Sequence, residues 1–94
     1  MTKIVYSACY GGFGLSEKAF ERYKELGGTV DYDRDIPRND PILVQVVEEL
    51  GEKASNAFSN LRMIALPAGT KYRIDEYDGF ETVMTLEDYK WEVA

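Results

Sequence analysis

Apolar positions along this chain follow two spacings, and each change of spacing marks a new element. Lys3 to Ala8 is a short run centred on Ile4 and Val5, and it predicts a strand buried on at least one face. Beyond Ser16, the residues Ala19, Phe20, Tyr23 and Leu26 fall at i, i+1, i+4 and i+7, one stripe of a helical period. Ser16 suits the N-cap of that helix, Glu17 opposes the positive end of its dipole, and Gly27-Gly28 is a stop signal. A second helical stripe, Ile42, Leu43, Val46, Val47 and Leu50, follows Asp40-Pro41, a cap residue and a proline at the first helical position. Glu48 and Glu49 fall on its outer face. Ala54, Ala57 and Phe58 prolong the apolar face past Gly51, so a helical continuation to about Ser55 is expected.

Between the helices, Thr29 to Asn39 is polar and reads as a loop or short edge segment. Leu61 to Leu66, closed by Pro67, predicts a buried strand. Lys71 to Tyr77 and Phe80 to Leu86 flank Asp78-Gly79, a strong hairpin signal. A two-residue turn sets Ile74 opposite Val83, Tyr77 opposite Phe80 and Glu76 opposite Glu81. Like charges directly opposite are unfavourable, so either the register is bulged or a cation lies between the two glutamates. The order β-α-α-β-β-β implies an α+β fold over residues 1–94 as a single domain. Its expected form is a mixed β-sheet with two helices packed on one face and a C-terminal β-hairpin.

Composition enters mainly by exclusion. With 45% hydrophobic and 13% aromatic residues the chain is globular in character. A net charge of −6 argues against sequence-independent nucleic-acid binding, which needs Lys and Arg to neutralise phosphates. No apolar run is long enough to span a bilayer and the N-terminus lacks a signal-peptide hydrophobic region, so no membrane association is expected. A single cysteine, Cys9, excludes an internal disulfide, and together these features favour a reducing, cytoplasmic setting. The chain has no histidine, which removes Ser-His and Cys-His nucleophile pairs and histidine-containing metal sites. Cys9 is not followed six positions later by the arginine of a thiolate phosphatase loop; Leu15 stands there. The acids of 31–40 lack the spacing of a calcium-binding loop. The expectation is therefore a binding protein, not an enzyme, with no cofactor and no metal.

The segment with the most chemical content is Cys9-Tyr10-Gly11-Gly12-Phe13-Gly14-Leu15-Ser16, between the first strand and the first helix. Backbone N–H groups free of side chains beside a helix N-terminus can hold a phosphate without a basic residue. The spacing matches neither the dinucleotide fingerprint nor the phosphate loop of nucleotide triphosphatases, so a tight turn with Ser16 as an ordinary cap stands as the other reading. Arg34 and Arg38, in the loop before the second helix, could clamp phosphate oxygens, while Asp33 or Asp35 accepts from ribose hydroxyls or an exocyclic amine. The plainer alternative is a solvated charged loop, with Asp40 capping the second helix and Arg38 in a local salt bridge. Among the aromatic residues, Tyr10 and Phe13 are the candidates to stack on a base, with core packing as the other reading. The expected ligand-binding set is thus Tyr10, Gly11, Gly12, Phe13, Gly14, Ser16, Arg34 and Arg38, with Gly12, in the middle of the turn, facing the anion.

Lys3-Ile4-Val5, the Tyr10 to Ser16 turn, the long segment from Asp35-Ile36-Pro37-Arg38-Asn39-Asp40-Pro41 to Gly51, and Glu76-Tyr77-Asp78-Gly79 together resemble a family of small uncharacterised proteins, mostly bacteriophage-encoded. The family pattern departs at its C-terminal end, where a Trp stands near the start of an acidic strand; this chain has Tyr72 and a terminal Trp91. The resemblance implies phage origin and, through it, a role in the cytoplasm of an infected bacterial host. Two functions then compete. One is sequestration of a phosphorylated small ligand, such as a nucleotide-derived host immune signal, by a homo-oligomer whose pairing deepens the pocket. The other is an acidic protein-binding inhibitor of a host defence factor.

Overall fold

Two helices form where an apolar stripe coincides with matched ends. In α1 (Glu17–Glu25), Ser16 Oγ accepts from the Ala19 N–H at 3.1 Å, which satisfies one of the unpaired donors of the first turn. The other end closes as a Schellman motif: Gly28 N–H donates to the Tyr23 carbonyl at 2.9 Å and Gly27 N–H to that of Lys24 at 3.1 Å. Gly27 supplies the left-handed residue this needs, with φ +99°. α2 (Pro41–Leu50) starts on Asp40, whose Oδ1 accepts from Ile42 at 2.8 Å and Leu43 at 3.3 Å. Asp40→Ala should lower stability by about 0.5–2 kcal/mol in urea unfolding, the usual cost of losing such a cap. An unchanged midpoint would show that the cap contributes nothing.

The expected helical continuation to about Ser55 is present, but it changes type at Gly51. The α-helix stops at Leu50, where Gly51 turns to φ +57°, and the chain continues as a 3-10 turn over Gly51–Ala54. Ala54 is buried, but Ala57 is exposed and Phe58 keeps 71% of its surface in solvent. The expected apolar extension is therefore a single residue.

The strands form two sheets of two. In the computed structural model, which describes residues 2–85, β1 (Thr2–Ser7) pairs antiparallel with β2 (Leu61–Leu66), Ile4 lying opposite Ile64. β3 (Tyr72–Tyr77) pairs antiparallel with β4 (Phe80–Thr85), with Ile74 opposite Val83, Glu76 opposite Glu81 and Tyr77 opposite Phe80. The fold is α+β, but the single mixed sheet expected from the sequence is not what forms. The reason lies at the free edge of β1. Val5 and Ser7, two residues apart, donate their N–H groups away from β2. Val5 donates to the Arg38 carbonyl at 2.8 Å and Ser7 to Glu81 Oε1 at 2.9 Å. β4 lies beside β1, yet a carboxylate from β4, not its main chain, satisfies that edge. Leu86, the expected end of the last strand, and Trp91 lie outside the described residues.

The core is built by β1, the glycine turn and the helices. Val5, Phe13 and Leu15 meet Ala19 and Tyr23 of α1 and Leu43, Val46 and Val47 of α2, with Ile36 and Ala54 completing the cluster. Among the described residues, no buried member of that cluster comes from β3 or β4. β2 departs from its expected burial, since only Leu66 is buried and Ile64 is exposed. Among the described residues β2 pairs with β1 alone; its Leu61 and Met63 pack against the core while Ile64 and Ala65 stay exposed. Across the outer surface, Arg22 of α1 reaches Glu49 of α2 at 2.9 Å, and Lys3 reaches Glu48 at 2.7 Å. The Arg22 hydrogen bond, seconded by one from Gln45, holds the Glu49 carboxyl below its ordinary range. Among the described residues, no helix is long and apolar enough to cross a membrane.

Candidate functional site

The glycine turn divides at Phe13. On its first side, Gly12 N–H donates to the Cys9 carbonyl at 3.1 Å, closing a tight turn, and Ser7 Oγ donates to the Gly12 carbonyl at 2.9 Å. Gly12 takes φ +90°. A β-carbon there would meet only the Gly79 Cα, at 3.8 Å, so conformation and not space demands glycine. Gly11 is glycine for the opposite reason, because its missing side chain lets the Phe58 carbonyl approach. On the second side the chain turns into the body of the protein. A β-carbon on Gly14 would overlap the Asn56 amide, and the Gly14 carbonyl accepts from Ser59 Oγ at 2.7 Å. Leu15 N–H donates to Asp33 Oδ2 at 2.9 Å. Ser16 caps α1 and donates its hydroxyl to the Lys53 carbonyl at 2.7 Å.

Of the expected ligand-binding residues, Tyr10, Gly11, Gly12, Phe13, Arg34 and Arg38 therefore converge on one cavity of about 580 Å³. Gly14 and Ser16 are not in its wall. Gly12 faces the cavity, but its N–H is already spent on Cys9. The N–H groups of Gly11 and Phe13 have no acceptor among the described residues, which leaves them to a ligand or to water. Asp33, expected to meet a ribose, instead anchors the loop to the glycine turn through Leu15.

The two arginines differ sharply. Arg38 forms a buried fork with Glu81, Nη2 to Oε2 at 2.9 Å and Nε to Oε1 at 3.3 Å, with side-chain exposures of 15% and 7%. Its Nη1 donates to the carbonyls of Ile36 at 2.7 Å and Arg34 at 3.1 Å, and its guanidinium lies 3.7 Å from the centre of the Phe13 ring. Arg34 is exposed, lines the same cavity, and has no carboxylate within ion-pair distance among the described residues. One arginine is built into the wall; the other is available.

The remaining wall comes from the β3–β4 hairpin, through Ile74, Glu76, Asp78, Gly79 and Glu81. Asp78 and Gly79 both take positive φ, +50° and +91°, the signature of a type I′ turn. The Gly79 Cα packs against the main chain of Tyr10 and Gly12, so the hairpin turn rests directly on the glycine turn. Tyr10 keeps 67% of its surface in solvent and leans on Phe80, ring centres 5.3 Å apart. The sequence-derived site omitted this wall, although the Glu76–Glu81 opposition pointed to it. The register is regular: Glu81 turns to Arg38, and Glu76 Oε1 accepts from the Gly79 N–H at 2.7 Å. The cation expected between the glutamates belongs to one of them alone.

Chemically, the cavity offers a cation with no ion-pair partner among the described residues, two main-chain donors, an aromatic rim and acceptors on the hairpin turn. Among the described residues, no group of three or more Cys, Asp or Glu side chains is placed to hold a metal ion. Neither a protein-family model, nor a curated protein, nor a solved structure matches the chain.

Proposed function

We propose that the protein is a phage-encoded binding module that sequesters a small phosphorylated ligand, a nucleotide-derived host immune signal being the class that best fits its cavity. The supporting observation is the cavity of about 580 Å³ with Arg34 in its wall, without an ion-pair partner among the described residues. That volume lies within the range of small-molecule sites, about 300–1,000 Å³. A guanidinium without a carboxylate partner, beside main-chain donors, suits phosphate oxygens. The hairpin turn supplies acceptors for hydroxyl or amine groups on the same ligand. Against the alternative of an acidic inhibitor, the acids on the outer face of α2 are locally neutralised: Glu48 by Lys3 and Glu49 by Arg22.

Calorimetric titration with adenine and guanine nucleotides tests this. Arg34→Ala should weaken binding by about 1.5–3 kcal/mol, the worth of a hydrogen bond to a charged group. Thermal unfolding should stay unchanged, because the Arg34 side chain makes no ion pair within the described residues. Full affinity in that variant would remove the phosphate reading, and the inhibitor would then lead. Mass spectrometry of small molecules released from protein incubated in lysates of infected, defence-competent cells would name the ligand. Sedimentation of the ligand-bound chain at micromolar concentration should give at least a dimer if pairing deepens the pocket.

A further inference from the structure

Arg38, read from the sequence as a phosphate clamp, has most of its bonding already committed. Of the five N–H donors of a guanidinium, four are committed: two to Glu81, one to the Ile36 carbonyl and one to that of Arg34. Its charge is matched by Glu81, and Phe13 covers one face of its plane. Arg38 nevertheless lines the cavity. What it has left to present there is the second face of the plane and a single Nη2–H.

A guanidinium locked flat by a carboxylate fork and backed by an aromatic ring is a stacking platform for another planar group. We propose that the ligand carries a nucleobase that stacks on the open face of Arg38, continuing the Phe13–Arg38 layer, while its phosphate is held by Arg34. Phe13 then acts beneath the arginine and not against the base. This inference rests on the phosphorylated-ligand reading of the cavity and divides the two ends of that ligand between the two arginines. Recognition of the base falls to a residue whose position is fixed before the ligand arrives, and capture of the phosphate to one that is free in solvent.

The experiment is calorimetry on the intact chain with four probes: AMP, adenosine, ribose 5-phosphate and inorganic phosphate. Stacking predicts that ribose 5-phosphate binds at least about tenfold more weakly than AMP. It also predicts that Arg34→Ala reduces AMP to the affinity of adenosine while leaving adenosine unchanged. Arg38→Lys keeps the charge opposite Glu81 but loses the plane, so AMP and adenosine should weaken together by about tenfold with ribose 5-phosphate unaffected. If that variant fails to fold, the comparison of the four probes on the unmodified chain still decides. Ribose 5-phosphate binding as tightly as AMP would overturn the stacking role and leave the phosphate site standing. Absence of binding by all four probes would overturn both.

Discussion

Glu81→Ala should destabilise the protein by about 3–5 kcal/mol, the cost of stranding a buried charge by removing its partner. The loss would fall on Arg38, whose side chain is 15% exposed, and on the Ser7 N–H, which Glu81 Oε1 alone accepts within the described residues. Against a total of roughly 5–15 kcal/mol for a domain of this kind, that is a large share. Urea unfolding monitored by circular dichroism reads it. The companion variant decides the mechanism: Arg38→Met with Glu81→Leu should recover the part of the loss that comes from the stranded charge, but not the cost of the Ser7 N–H, which stays without its acceptor. The double variant should nonetheless fail to bind AMP with normal affinity, because the stacking plane is gone. If Glu81→Ala unfolds at the same urea concentration as the unmodified chain, the pair does not hold the hairpin in place.

The second large effect is expected at Gly79. Valine there must adopt φ +91°, at a cost of about 1–3 kcal/mol for the conformation alone. Its β-carbon would also overlap the Tyr10 carbonyl oxygen and lie 2.7 Å from the Gly12 nitrogen. Both are main-chain atoms, so relief requires the hairpin turn to part from the glycine turn. Gly69→Val provides the control, with φ +82° but no atom within 4 Å of its β-carbon. Gly79→Val should lose more stability than the control and should lose nucleotide binding as well, while Gly69→Val binds normally. Equal losses in the two variants would show that the contact between the turns contributes nothing.

The helices were legible because each signal in them is local. The stripes of α1 and α2, the caps at Ser16 and Asp40 and the glycines at 27 and 51 all act within a turn or two of the chain. The sheet was not legible, because the outer edge of β1 is satisfied by a main-chain carbonyl and a distant carboxylate. Nothing in an alternation of apolar and polar residues distinguishes such an edge from one paired with a strand. The candidate site was legible in part. Glycines, aromatics and arginines announce themselves by type, and six of the eight expected residues line the cavity. Gly14 and Ser16 share the composition of the turn but serve close packing and capping. Their neighbours across space, Asn56 and Lys53, lie about forty positions further along the chain. The hairpin wall was missed for a similar reason, although the like-charged pair Glu76 and Glu81 carried the one usable hint.

The bond from Ser7 to Glu81 spans 74 positions, joining β1 to β4. β1 is made before the other described elements, and both helices and β2 can settle against it before the hairpin exists. One edge of that early body stays open, however, with the Ser7 amide exposed and Arg38 without its counter-charge. Closure waits for β4, which is made after every other described element. Under the proposed function, a ribosome-stalled chain ending before Phe80 should be helical, protease-sensitive and unable to bind nucleotide.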